Sequence, residues 1–126
     1  MLPASAERLD RMAAAVFSQA TWRAARQLGL GRKALAERLG LTAEQALGLA
    51  TGGYLLRPET PAGTTAARLI RLFVALEAQV GGDAVTRRAW MQNWNAHLRG
   101  VPRMLINTDA GLVKVVDYLE GMYARC

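Results

Sequence analysis

Apolar residues recur at helical spacing along most of this chain, and no sustained period-two alternation bounded by turn residues occurs anywhere in it. Leu69, Leu72, Phe73, Leu76 and Val80 follow an i, i+3, i+4, i+7 pattern, as do Leu112, Val115, Val116, Leu119, Met122 and Tyr123. At about 100° per residue such spacing gathers the side chains into one stripe that must be buried against another helix. The expected fold is therefore all-α. Glycine and proline punctuate the pattern at Gly29-Leu30-Gly31, Gly40, Gly52-Gly53, Pro58, Pro61, Gly63, Gly81-Gly82 and Pro102.

These breaks divide the chain into short helices. The first is expected from about Ser5 as N-cap, with Leu9, Met12, Val16 and Phe17 on one face. A break near Ser18–Thr21 follows, with Thr21 capping a second helix that carries Trp22, Ala25 and Leu28. Arg32 to Leu39 forms the next helix, stopped by Gly40, and Thr42 caps another to about Leu49. The stretch from Thr51 to Gly63 reads as the clearest loop and marks a boundary between modules 1–63 and 64–126. Beyond it, a helix from Thr64 ends at Gly81-Gly82. Asp83 caps a helix in which Trp90 and Trp94 lie one turn apart, and Asn95 to Gly100 is an irregular link. Pro102 suits the first turn of a short helix, and Thr108 caps the last. With 126 residues, the two modules can share one core without disulfide or metal.

Composition narrows the function. The net charge is +6, which favours an anionic partner. That charge is evenly spread: residues 1–60 and residues 61–126 each hold eight Lys/Arg and five Asp/Glu. The densest acid-free basic run is Trp22 to Ala36, with Arg23, Arg26, Arg32 and Lys33. The single cysteine, Cys126, has no partner for a disulfide, and no cluster with metal-ligand spacing is visible. No apolar stretch approaches the roughly 18 residues of a membrane span, and the N-terminus reaches charge before any apolar run, so a cytoplasmic protein is expected. The one histidine, His97, has no carboxylate or nucleophile spaced to it and reads as a surface residue. Arg87-Arg88 and Arg99/Arg103 read as solvated faces that could also meet an acidic protein surface. No catalytic role, metal or cofactor is expected.

Two constellations carry more information. Ala36, Gly40, Ala46 and Leu49 stand where a helix-turn-helix needs a small residue, a left-handed turn and two packing positions, although a plain helical hairpin uses the same residues. In the DNA-binding version Thr42 and Gln45 are the base readers, while Arg32, Lys33 and Arg57 hold phosphates. Glu44 would be repelled by phosphate and Gly48 presents no side chain, so affinity should be weak, salt-sensitive and poorly discriminating.

The second constellation runs Gly81-Gly82-Asp83, Trp90, Trp94-Asn95-x-x-Leu98-x-Gly100-x-Pro102, Ile106, Thr108-x-x-Gly111-Leu112, Val115, Tyr118-Leu119. It resembles the toxin-binding domain of the Xre/MbcA/ParS antitoxins, and with the upstream helices the resemblance extends from about Trp22 to Tyr123. It implies an antitoxin that neutralises a RES-type, NAD-degrading toxin by covering its active-site cleft. Such proteins often form homodimers and repress their own operon through the helix-turn-helix. Carried onto this chain, the toxin-binding residues are Tyr118, Met122, Tyr123 and Arg125, with Arg99 and Arg103 available to an acidic toxin surface. Met122 and Tyr123 could equally finish the core stripe. The chain departs from the family at Gln45-Ala46-Leu47-Gly48, where transcriptional regulators tend to carry a hydroxyl, a β-branched residue and an arginine. A DNA-binding regulator without a toxin is the alternative, and a structural adaptor a third class.

Overall fold

The computed structural model describes residues 4–124, with side chains through Met122. Among these residues seven helices follow one another: α1 Ala4–Gln27, α2 Arg32–Leu39, α3 Ala43–Thr51, α4 Pro61–Val80, α5 Ala84–Gln92, α6 Pro102–Leu105 and α7 Asp109–Ala124. No strand occurs among them. The α4 helix is the hub, touching α1, α2, α5 and α7. One apolar cluster runs through both halves of the chain, from Ala25, Leu28 and Leu35 through Leu69, Leu72 and Leu76 to Leu112, Val115 and Leu119.

The first helix differs from its sequence expectation in two ways. It is continuous, so Thr21 caps nothing. Its inner face also differs: Leu9, Met12 and Val16 are exposed and of the expected face Phe17 alone packs against the core, while Ala14, Ser18, Thr21, Ala24 and Ala25 are buried. Small side chains let α1 lie close against α3 and α4. The hydroxyls remain satisfied in this buried setting. Ser18 Oγ donates to the Ala14 carbonyl at 2.7 Å and accepts from the Leu56 amide at 2.8 Å. Thr21 Oγ1 donates to the Phe17 carbonyl at 2.8 Å. Back-bonding to the preceding turn explains why neither residue breaks the helix.

Helix ends follow their local chemistry. Gly40 turns the chain at φ 71°, and its amide reaches back to the carbonyls of α2. Thr42 and Gln45 form a reciprocal capping box on α3. The α4 helix starts at Pro61, earlier than the sequence pattern suggested, because Thr60 Oγ1 accepts from the Gly63 amide at 3.0 Å and Pro61 takes the first turn. Asp83 caps α5 through the Val85 amide at 3.1 Å, and its hydrogen bond with the Thr86 hydroxyl holds the carboxyl below its ordinary pKa.

Arg38 and Arg87 help join the halves. Arg38 of α2 donates through Nε to the Ile106 carbonyl at 2.7 Å and through Nη2 to Asp109 at 2.5 Å. That hydrogen bond, reinforced by charge, depresses the Asp109 pKa. Arg87, expected on a solvated face, is buried instead. It bonds the Gln27 carbonyl, the Gln27 side chain and Glu77, and its guanidinium lies 5.9 Å from the centre of the Phe73 ring. It thus ties α5 to the end of α1 and to α4. Replacing Arg87 by Ala should lower unfolding free energy by about 3 kcal/mol, because Glu77 and the Gln27 carbonyl lose their partner. Denaturant titration with an unchanged m-value checks this.

Candidate functional site

The segment between α5 and α7 is held rigidly by the residues of the second constellation. Asn95 and Gly100 exchange backbone hydrogen bonds at 2.8 and 3.3 Å, closing the intervening loop, and Asn95 Oδ1 accepts from the Leu98 amide at 3.0 Å. Leu98 is buried and anchors that loop to the core. Leu105 sits between two glycines. A Cβ on Gly100 would lie 3.0 Å from the Leu105 side chain, and one on Gly111 would lie 1.8 Å from the Leu105 carbonyl oxygen. Thr108 Oγ1 accepts from the Gly111 amide at 3.0 Å, starting α7 where the sequence pattern places it.

What this frame presents outward is an aromatic and basic surface. The His97 ring is exposed and stacks on Tyr118 of α7, with centroids 5.6 Å apart. Lys114 of α7 donates to the Leu98 carbonyl at 2.7 Å, fixing the loop to the helix. Arg99 is exposed and takes φ 55°, the one non-glycine residue with positive φ among those described. Holding arginine there costs of order 1–3 kcal/mol, which the surrounding hydrogen bonds sustain. Trp94 stands just before the loop and is 67% exposed, since α5 ends at Gln92 and no longer carries it. Met104, on α6 just after, is 64% exposed.

The sequence-derived site residues fall into three groups. Tyr118 and Met122 share one side of α7, and the His97 stack brings the loop carrying Arg99 to that side; both α7 residues also pack against the core cluster. Arg103 points elsewhere, donating to the Gly29 carbonyl at 3.2 Å and to Asn107 at 3.0 Å, so it braces the α1–α2 turn. The side chain of Tyr123, and Arg125 and Cys126 altogether, lie outside the described residues. Trp94, His97 and Lys114 complete the surface and were not among the sequence-derived site residues. Trp94 was masked by its one-turn spacing from Trp90, which mimics a helical pair.

Residues 75–125 match the family model described as the antitoxin Xre/MbcA/ParS C-terminal toxin-binding domain. That segment is similar to the C-terminal domain of these antitoxins. No curated protein matches the chain. The matched segment spans the last turns of α4, all of α5 and α6, and α7, and so includes the whole loop frame just described.

At the other end, α2 and α3 pack across the Gly40 turn. Arg32 and Lys33 are exposed in the first turn of α2. The Thr42 hydroxyl oxygen and the Gln45 side-chain oxygen each accept from the other's backbone amide at 3.0 Å. Arg57 pairs with Asp10 at 2.5 Å. The α3 surface offers Ala43, Glu44 and Leu47, the last 40% exposed, while Gly48 is buried against Tyr54.

Among the described residues no group of His, Cys, Asp and Glu could hold a metal. None of the described helices is long and apolar enough to cross a membrane.

Proposed function

We propose that the chain is a non-enzymatic cytoplasmic antitoxin that neutralises a RES-type, NAD-degrading toxin by covering its active-site cleft. The observation that carries this is the match of residues 75–125 to a toxin-binding domain whose frame presents Arg99 in a sustained strained conformation beside Trp94, His97 and Tyr118. Exposed aromatics with an adjacent arginine are the residue types that anchor tight protein interfaces. Strain held at a surface loop points to a binding role. Tyr118 and Met122 lie toward the end of α7 and contact the toxin together with Tyr123 and Arg125; Arg103 braces the frame from behind. The reading also includes a homodimer. Its test is binding of the toxin encoded beside this protein, measured calorimetrically with the intact chain and with Trp94→Ala. A fixed stoichiometry, weakened by the substitution, supports it, whereas no heat of binding sinks it for that toxin.

Operon autorepression is the second part of the proposal. Arg32 and Lys33 sit at the N-terminus of α2, where the helix dipole disfavours cations, so the pair serves an anion better than it serves the helix. Thr42, Gln45 and Arg57 contribute little beyond positioning while their capping and ion-pair contacts persist. Arg32→Ala with Lys33→Ala should weaken DNA binding uniformly across sequences and reduce its log–log salt slope by about 2. Fluorescence anisotropy at several salt concentrations measures both effects. An unchanged slope removes these residues from any DNA contact.

A further inference from the structure

Three large apolar side chains in the first two-thirds of α1 face away from the body of the protein. Leu9, Met12 and Val16 are 65%, 61% and 67% exposed, and their i, i+3, i+7 spacing puts them on one face. Ala6, Ala13 and Ala20 run along one border of this stripe at seven-residue intervals. From Met12 to Trp22 there is no charged residue, although the outer face of a helix in water ordinarily carries charge. Residues 4–13 contain no fully buried side chain, and an ion pair of Asp10 with Arg57 ties that arm to the rest of the protein. A contiguous apolar stripe on such an arm marks an interaction surface, in contrast to scattered single exposures.

We propose that this stripe is the seam of a homodimer in which α1 of two copies pack antiparallel about a two-fold axis near Met12 and Ala13. The proposal rests on the homodimer included in the function above and assigns its surface. A two-fold axis brings the same patch together from both copies, so the stripe must complement itself. In this register Leu9 of one copy faces Val16 of its partner and Met12 faces Ala13, large against small or medium throughout. The alanine row lets the two helix backbones approach closely. Charge selects the direction. Arg23 lies seven residues beyond Val16 on the same face, so parallel helices would set two Arg23 side chains together in the seam. Antiparallel packing sends them to opposite ends.

The size of the stripe sets the strength. Covering its three large side chains, the neighbouring alanines and the stems of Gln19 and Arg23 removes on the order of 500 Å² per copy, roughly 1,000 Å² in all, the small end of specific interfaces. A micromolar dimer is expected.

Sedimentation equilibrium of the full chain over a range of concentrations, on a Cys126→Ser background, tests the seam. The unmodified surface should dimerise in the micromolar range. Met12→Glu with Val16→Glu should weaken the dimer at least 100-fold with unchanged circular dichroism, since both positions are exposed in the protomer. Met12→Cys should oxidise to a disulfide-linked dimer. Leu9→Cys should not, because antiparallel pairing separates the two positions by about 10 Å along the axis. A chain monomeric at every concentration overturns dimer and seam together. A dimer indifferent to the two glutamates overturns the seam alone, and efficient cross-linking through Leu9→Cys overturns the antiparallel register. Toxin binding, measured separately, reports on the antitoxin reading independently of all these outcomes.

Discussion

Replacing Gly111 by Ala is expected to destabilise the protein by about 3 kcal/mol or more, shifting the melting temperature by roughly 10 °C or more. The reason is geometric. A methyl group at this position would lie 1.8 Å from the Leu105 carbonyl oxygen and 3.0 Å from Thr108 Oγ1. The obstacle at 1.8 Å is backbone, so no rotamer change relieves it, and α6 must move off α7. That movement would disturb the Gly100–Leu105 contact and with it the loop that presents Arg99. Toxin binding should therefore fall along with stability. Gly121 provides the control on the same helix: a Cβ there meets nothing within 4 Å, and Gly121→Ala should be neutral or stabilising by up to about 1 kcal/mol. Thermal melts of the two variants side by side separate a packing requirement from helix propensity.

Arg99→Gly is expected to move stability and binding in opposite directions. Glycine adopts φ 55° without steric cost, so relief of strain, less the extra entropy of the unfolded chain, should stabilise the fold by up to about 1 kcal/mol. Loss of the guanidinium should weaken toxin binding by at least about 2 kcal/mol, some 30-fold. A residue kept only for structure would not show this pattern. Calorimetric affinity together with thermal melts reads both effects, and a variant that is more stable yet binds as tightly removes Arg99 from the interface.

The parts of the fold legible in the sequence are those set by local chemistry. Gly40, Gly81, Asp83, Pro102 and Thr108 end or begin helices where their backbone preferences require it. Leu69, Leu72 and Leu76 of the α4 stripe and Leu112, Val115, Val116 and Leu119 of the α7 stripe are buried as their periodicity demands. The inner face of α1 was only partly legible, because there the packing uses alanine, serine and threonine beside Phe17 and Trp22, while Leu9, Met12 and Val16 turn outward. Periodicity identifies a stripe of large residues but not whether its partner is the same chain. Arg87 escaped for a related reason: its buried position depends on Gln27 and Glu77, which are brought to it only by the tertiary fold. For the site, the fixed spacing of Asn95, Gly100, Pro102 and Gly111 marked the frame. The exposed side chains that the frame carries, Trp94, His97 and Lys114, obey no spacing rule, and their grouping depends on how the loop lies on α7.

The central claim is that this chain inhibits its toxin stoichiometrically, and titration of NAD consumption by the neighbouring RES-type toxin tests it most directly. Increasing amounts of the full chain should reduce the rate linearly to zero at a fixed molar ratio. An undiminished rate of NAD loss with the chain in large excess would contradict the account.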